Sequence, residues 1–210
     1  MYLPKHFEET SQQLLFDLIK AHPLATVVTL SESGLNANHI PLMIAENENG
    51  EKVLRGHVAR ANPILNDIGL SPSTLLVFQG DEHYITPSWY ATKKETEKVV
   101  PTWNYVVVHV RGKMRVVEDA AWLHKQLNDL TVQQESSRDQ PWSLSDAPPE
   151  FIEQIKKAIV GFEVQIESLV GKWKVSQNQP QVNRESVAKG LEQLATDSAL
   201  RMREWVKRQS

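Results

Sequence analysis

Between residues 98 and 117 the chain reads KVVPTWNYVVVHVRGKMRVV, and its side chains sort at a period of two. Asn104, Val106, Val108, Val110, Met114 and Val116 fall on one face, while Trp103, Tyr105, His109, Arg111 and Lys113 fall on the other. The density of β-branched residues makes this the strongest strand signal in the chain. Arg111-Gly112-Lys113 interrupts it, so one long bent strand or a hairpin is expected. The apolar face is a core wall. The aromatic and cationic face suits a ligand or a second subunit better than open solvent.

Around this segment the pattern alternates between short strands and amphipathic helices. Thr10 and Gln13 have the spacing of a capping box, and Leu14, Leu15, Leu18 and Ile19 form one face, predicting a helix over 11–21 that Pro23 stops. Residues 25–30 and 35–44 flank the turn Ser31-Glu32-Ser33-Gly34 and read as a hairpin, with Pro41 at an edge or bulge. Strands are predicted over 53–58 and 75–79, with a short helix over 63–68 that Asn62 caps and Pro63 opens. Residues 81–103 are too long for a plain connection and read as a functional loop or lid. Asp119 is expected to cap a helix to about residue 131 with Trp122, Leu123, Leu127 and Leu130 inward. Pro148 and Pro149 open another, which Gly161 ends. FEVQI (162–166) alternates as a strand, and 183–194 and 197–207 read as helices.

Six or seven short strands with tight turns and no regular strand–helix alternation predict an α+β fold, an antiparallel barrel with helices outside. Composition narrows the chemistry. The 210 residues contain no cysteine, which removes disulfides, thiolate metal sites and a Cys nucleophile. With 23% charged residues and a net charge of −3, no bulk pull toward nucleic acid is visible, so a DNA-binding role needs a local basic patch. No signal-peptide pattern and no long apolar run is found, and a soluble cytoplasmic protein is expected.

The strongest local constellation is RGHVARANP (55–63). A strand running into a helix start offers free backbone N–H groups, and Arg60 stands beside them, as a phosphate site requires. The same segment also reads as an ordinary capped helix with a surface arginine. Asn38, His39, Gln79 and the Trp103-Asn104-Tyr105 segment supply polar and aromatic groups on neighbouring strands, a lining suited to a flat heteroaromatic ligand with a phosphate tail. His39, His57 and His109 lack the spacing of a metal pair, so no metal site is expected.

The segments ANHIP (37–41), RGHVARANP, VFQG (77–80), YITPSWY (84–90), KVVPTWNY and GKWKVSQN (171–178) resemble, in this order, the motifs of the PaiB family, FMN-binding negative transcriptional regulators. That family is similar to the flavin-binding split barrels, which include pyridoxamine phosphate oxidase and hold FMN between two subunits. The resemblance implies a split β-barrel with peripheral helices, FMN as cofactor and a homodimer with flavin at its interface. Residues 1–187 form the FMN-binding domain and 188–210 a helical appendage. His57, Ala59, Arg60 and Asn62 are implied to flank the phosphate and ribityl chain, with Asn38, His39 and Ile40 along the flavin. Lys172, Trp173, Lys174, Ser176 and Gln177 are implied to reach the same site from the partner subunit.

Negative regulation of transcription is the implied function, and an FMN-dependent oxidoreductase of the same fold is the alternative. A haem-binding or purely structural barrel is a third reading. No catalytic residue is singled out, and no basic recognition helix is evident. The basic concentrations are 93–98, diluted by Glu95 and Glu97, and the last helix, where Arg201, Arg203, Lys207 and Arg208 face only Glu204.

Overall fold

The computed structural model describes residues 1–70 and 73–208. Its strands are β1 (Glu8–Glu9), β2 (Leu24–Ser31), β3 (Gly34–Pro41), β4 (Met43–Glu46), β5 (Lys52–Ala59), β6 (Thr74–Ile85), β7 (Thr102–Val117) and β8 (Ile159–Lys174). They form one sheet of order β3-β2-β6-β7-β8-β5-β4, with β1 pairing β8. The helices are α1 (Gln12–Ala21), α2 (Ile64–Asp67), α3 (Lys93–Thr96), α4 (Ala120–Glu135), α5 (Pro149–Ala158), α6 (Gln181–Leu194) and α7 (Asp197–Lys207). The α+β expectation holds, but β6, β7 and β8 run for 12, 16 and 16 residues and are not short.

The chain falls into two compact units. One comprises Met1–Leu18, Gln79–His109 and Val170–Ser210, and the other Ile19–Phe78 and Val110–Leu169.

In the first unit, β1 pairs with the end of β8 in the register Glu8↔Lys172 and Glu9↔Gly171. Gly171 lets Leu15 of α1 reach the strand, since a Cβ there would lie 2.1 Å from the Leu15 side chain. α6 and α7 bury Val187, Leu191, Met202 and Val206. Each such side chain contributes about 1.5–3 kcal/mol relative to exposure. Asp81 of β6 fixes α7 by accepting from Arg201 Nε at 2.7 Å and from Trp205 Nε1 at 2.8 Å. Residues 188–208 thus pack within this unit.

In the second unit, β2 and β3 form the expected hairpin, Ser31 opposite Gly34. Pro41 ends β3, an edge strand of the sheet. The chain then breaks at Leu42, whose N–H goes to Pro23 O at 2.9 Å, and restarts as β4 against β5. β5 pairs β8 from Val53↔Gln165 to Ala59↔Ile159. Glu163, buried in β8, is held by two arginines, Arg55 Nε at 2.9 Å and Arg115 at 2.8 Å, so no uncompensated charge is left inside.

Several local expectations are corrected. Ser11, not Thr10, caps α1, its hydroxyl accepting from Leu14 N at 3.4 Å. Residues 81–85 are strand, because β6 continues to Ile85. Of the two readings of 98–117, the single long strand is the one observed, and β7 forms no hairpin at Gly112. The glycine is there because a Cβ would come 2.0 Å from Gln165 O of β8. Gly161 does not end a helix. It lies within β8 with the Trp122 ring over it, where a Cβ would sit 2.3 Å from the indole. The GKWK motif (171–174), given no element by the sequence pattern, is the end of β8. Asp119 caps α4 as expected, accepting from Trp122 N at 2.6 Å.

Candidate functional site

Seven of the sequence-predicted site residues lie in the second unit. Alternation along β3 turns Asn38 and Ile40 to one face, half-buried and buried, and leaves His39 exposed on the other. Asn62 Nδ2 donates to Asn38 Oδ1 at 3.2 Å, and Asn62 Oδ1 accepts from Ile64 N at 3.0 Å. One side chain therefore caps α2 and ties the ANHIP strand to the end of RGHVARANP. α2 is a single turn and Asn62 already uses one of its N–H groups, so the helix start contributes less to anion binding than the sequence suggests.

Two partners of this cluster were not anticipated. His57 Nδ1 lies 2.9 Å from Gln126 Oε1 of α4. The contact fixes the ring's orientation and leaves Nε2 as the remaining nitrogen. Gln126 is 2% exposed, and its Nε2 has no partner among the described residues. Its position three residues after Leu123, on the inward stripe of α4, was the available signal. Arg60 is engaged at the exposed surface. Its NH2 lies 2.8 Å from Glu118 Oε2, NH1 donates to Glu118 Oε1 at 3.2 Å, and Nε donates to Lys157 O at 3.1 Å. The pair holds Glu118 below, and Arg60 above, its ordinary pKa, the mutual hydrogen bond being the main cause. Ala59 is exposed at the end of β5.

The other seven residues lie in the first unit. Gln79, Glu82, Trp103 and Tyr105 line a cleft of about 440 Å³. Trp103 is 51% exposed and meets Tyr84 edge-on, ring centres 6.0 Å apart. Lys172 is buried with its ammonium 5.3 Å from the Tyr105 ring centre and 5.6 Å from that of Tyr2, and it donates to Tyr2 O at 3.1 Å. Lys174 bonds Thr102 Oγ1. Burial, with Lys172 nearby, holds Lys174 below the usual lysine pKa, against an opposing pull from Tyr105.

Trp173, Ser176 and Gln177 have structural work here. Trp173 is buried edge-on to Trp205, centres 5.9 Å apart. Gln177 accepts from Val175 N at 2.8 Å and donates back to Trp173 O, bracketing a turn in which Ser176 adopts a left-handed φ of 68°. Asn104, 1% exposed, donates to Ser176 Oγ at 2.9 Å, and its Oδ1 is unpaired among the described residues.

Each unit taken by itself has groups of the kind a flavin nucleotide binds: in the second unit the unpaired Gln126 amide and the Arg60 guanidinium, in the first the unpaired Asn104 oxygen and the aromatic Trp103–Tyr105 cleft.

The fold is the split β-barrel. The FAD and heme binding protein from Mycobacterium smegmatis shares it at a TM-score of 0.57 with 18% identity, over 87% of this chain and 80% of that one. Residues 1–168 match the family model described as "Putative FMN-binding domain". The chain is 30% identical to the protease synthase and sporulation protein PAI 2 of Bacillus subtilis, over 97% of this chain and 95% of the relative. It is also 36% identical to a protein of Emericella nidulans, over 94% and 93% of the two chains. The chain belongs to this FMN-binding, PaiB-type family, and FMN is its cofactor. Among the described residues no helix is long and apolar enough to cross a membrane.

Proposed function

We propose that the protein is a PaiB-type negative transcriptional regulator that holds FMN between two copies of the chain and acts on transcription without a DNA-contact surface of its own. Bound FMN supplies reversible one- and two-electron reduction at its ring system. The observation that carries the flavin site is the Asn62–Asn38 hydrogen bond, which joins two motif segments into one patch. On this reading Arg60 holds the phosphate, Asn62 and His57 bond the ribityl chain, and Asn38 and Ile40 border the ring. Lys172 and Lys174 reach in from the partner subunit, and Trp103 packs at the dimer contact.

Indirect action is supported by the state of α7. Arg201 is paired with Asp81, Arg203 with Glu192 at 2.9 Å and Glu204 at 3.0 Å, and Arg208 stacks 4.4 Å over Trp205. Arg201 and Arg203, already paired with carboxylates, offer less to a phosphate backbone.

The experiment is a titration of purified protein with FMN and with riboflavin, followed by visible absorption. It is joined to transcript profiling of cells carrying the native protein or a variant that cannot hold FMN. FMN should bind more tightly than riboflavin, and the flavin-free variant should lose repression. Equal affinity for the two ligands overturns the phosphate assignment, and unchanged transcripts overturn the regulatory one.

A further inference from the structure

Between β6 and β7 the chain folds into a pinned loop. Thr86 caps a 3-10 turn over Pro87–Trp89, α3 adds one helical turn, and Glu97 closes it with a left-handed φ of 54°. The loop is fastened to α6 at three points. Ser186 Oγ donates to Trp89 O at 2.5 Å, Thr92 N donates to the buried Asn183 Oδ1 at 3.1 Å, and Trp89 lies flush on Gly190, where a Cβ would be 2.5 Å from the indole. Fastening of this kind preorganises the loop.

It also encloses space. A cavity of about 670 Å³ is lined by Trp89, Tyr90, Lys93, Lys94, Glu97 and Ser186, among others. That volume is typical of small-molecule sites. Tyr90 is only 5% exposed, and its hydroxyl makes no hydrogen bond among the described residues. The residue is buried but its oxygen is not sealed off, so the hydroxyl is accessible to a ligand. Burial raises the Tyr90 pKa, so the phenol keeps its proton and can donate. Lys93 and Lys94 form no ion pair among the described residues, and with Glu97 the lining carries a net positive charge.

We infer that this cavity is a binding site for a small organic anion on a flat aromatic body, such as an aryl carboxylate or phosphonate. The ring packs against Trp89, the Tyr90 hydroxyl donates to the anion, and Lys93 and Lys94 supply the charge. This site is additional to the flavin site and does not depend on the residues assigned there.

The test is calorimetric titration of the FMN-saturated full-length protein with benzoate and with phenylphosphonate, with flavin absorption recorded on the same samples. Saturable binding of at least one probe at one site per chain is expected. The double variant K93Q/K94Q should weaken it about tenfold and Y90F about fivefold, with FMN affinity unchanged in both. The neutral analogue benzamide should respond less than about twofold to the lysine changes. Absence of saturable binding by either probe overturns the proposal, as does an unaltered affinity in K93Q/K94Q. Competition between probe and FMN overturns it too, since the cavity would then be the flavin's own.

Discussion

Arg60 and Glu118 face each other through two contacts, NH2 to Oε2 at 2.8 Å and NH1 to Oε1 at 3.2 Å, although 58 residues separate them. The residue best suited to a phosphate already has a carboxylate on its guanidinium. Any phosphate at Arg60 competes with Glu118 or shares the fork with it.

E118Q should therefore strengthen FMN binding, by about three- to tenfold, because the competing charge is removed while the shape is kept. R60A should weaken it by about tenfold or more. Riboflavin should be nearly indifferent to both. Flavin fluorescence titrations of the three proteins decide this, and equal losses for both ligands in R60A would exclude the phosphate role.

The proposed dimer is best probed at Trp103, half-exposed on an aromatic strand face. W103E should shift the protein to monomer in sedimentation velocity and release flavin with it. A point change is preferable to removing residues 171–210. Trp173, Val175, Val187 and Leu191 are buried, and their loss would unfold the unit they belong to. A W103E protein that remains dimeric and flavin-bound would contradict the assignment.

DNA binding should be weak and without sequence preference at physiological salt, given the internal pairing of Arg201 and Arg203. R201Q combined with K207Q should change affinity for duplex DNA by less than about twofold. Tight, sequence-selective retention of duplex DNA in a salt series would favour direct action instead.

Lys174 gives a pH signature. Desolvation depresses its folded-state pKa below the unfolded value. Between the two, the unfolded chain binds more protons, so this group's cost to stability falls as pH rises through the depressed value and is gone above about 10.4. The gain in melting temperature of K174M over the native chain should be largest near neutrality and shrink toward that pH. A gain constant across the range would show that Lys174 is not desolvated.

E163Q removes the carboxylate between Arg55 and Arg115 and leaves the mostly buried Arg55 guanidinium without its counter-charge, while Arg115 is largely exposed. The expected loss is about 3 kcal/mol in urea unfolding. A loss well under about 1 kcal/mol would mean that the cluster is solvated.

The sequence alone determined whatever depends on local periodicity and capping. The buried face from Asn104 to Val110, the hairpin turn at Ser31–Gly34, the Asp119 cap and the bounds of α7 are properties of neighbouring residues, and neighbours are what a sequence displays. Val116, expected on that face, is exposed. The motif strings could be read for the same reason, and they led to the family. Tertiary structure decided what depends on residues far apart in the chain. β6 and β8 outrun their local signals because pairing with adjacent strands satisfies backbone groups that propensity alone would leave in a loop. Gly112 and Gly161 read as breaks in the string, yet each is where another part of the fold comes too close for a Cβ. The partners of His57 and Arg60 lie 69 and 58 residues away, so no spacing could reveal them. Charge and hydrogen-bonding capacity are written in each residue, but whether that capacity is spent inside the fold or left for a ligand is settled only when distant segments meet.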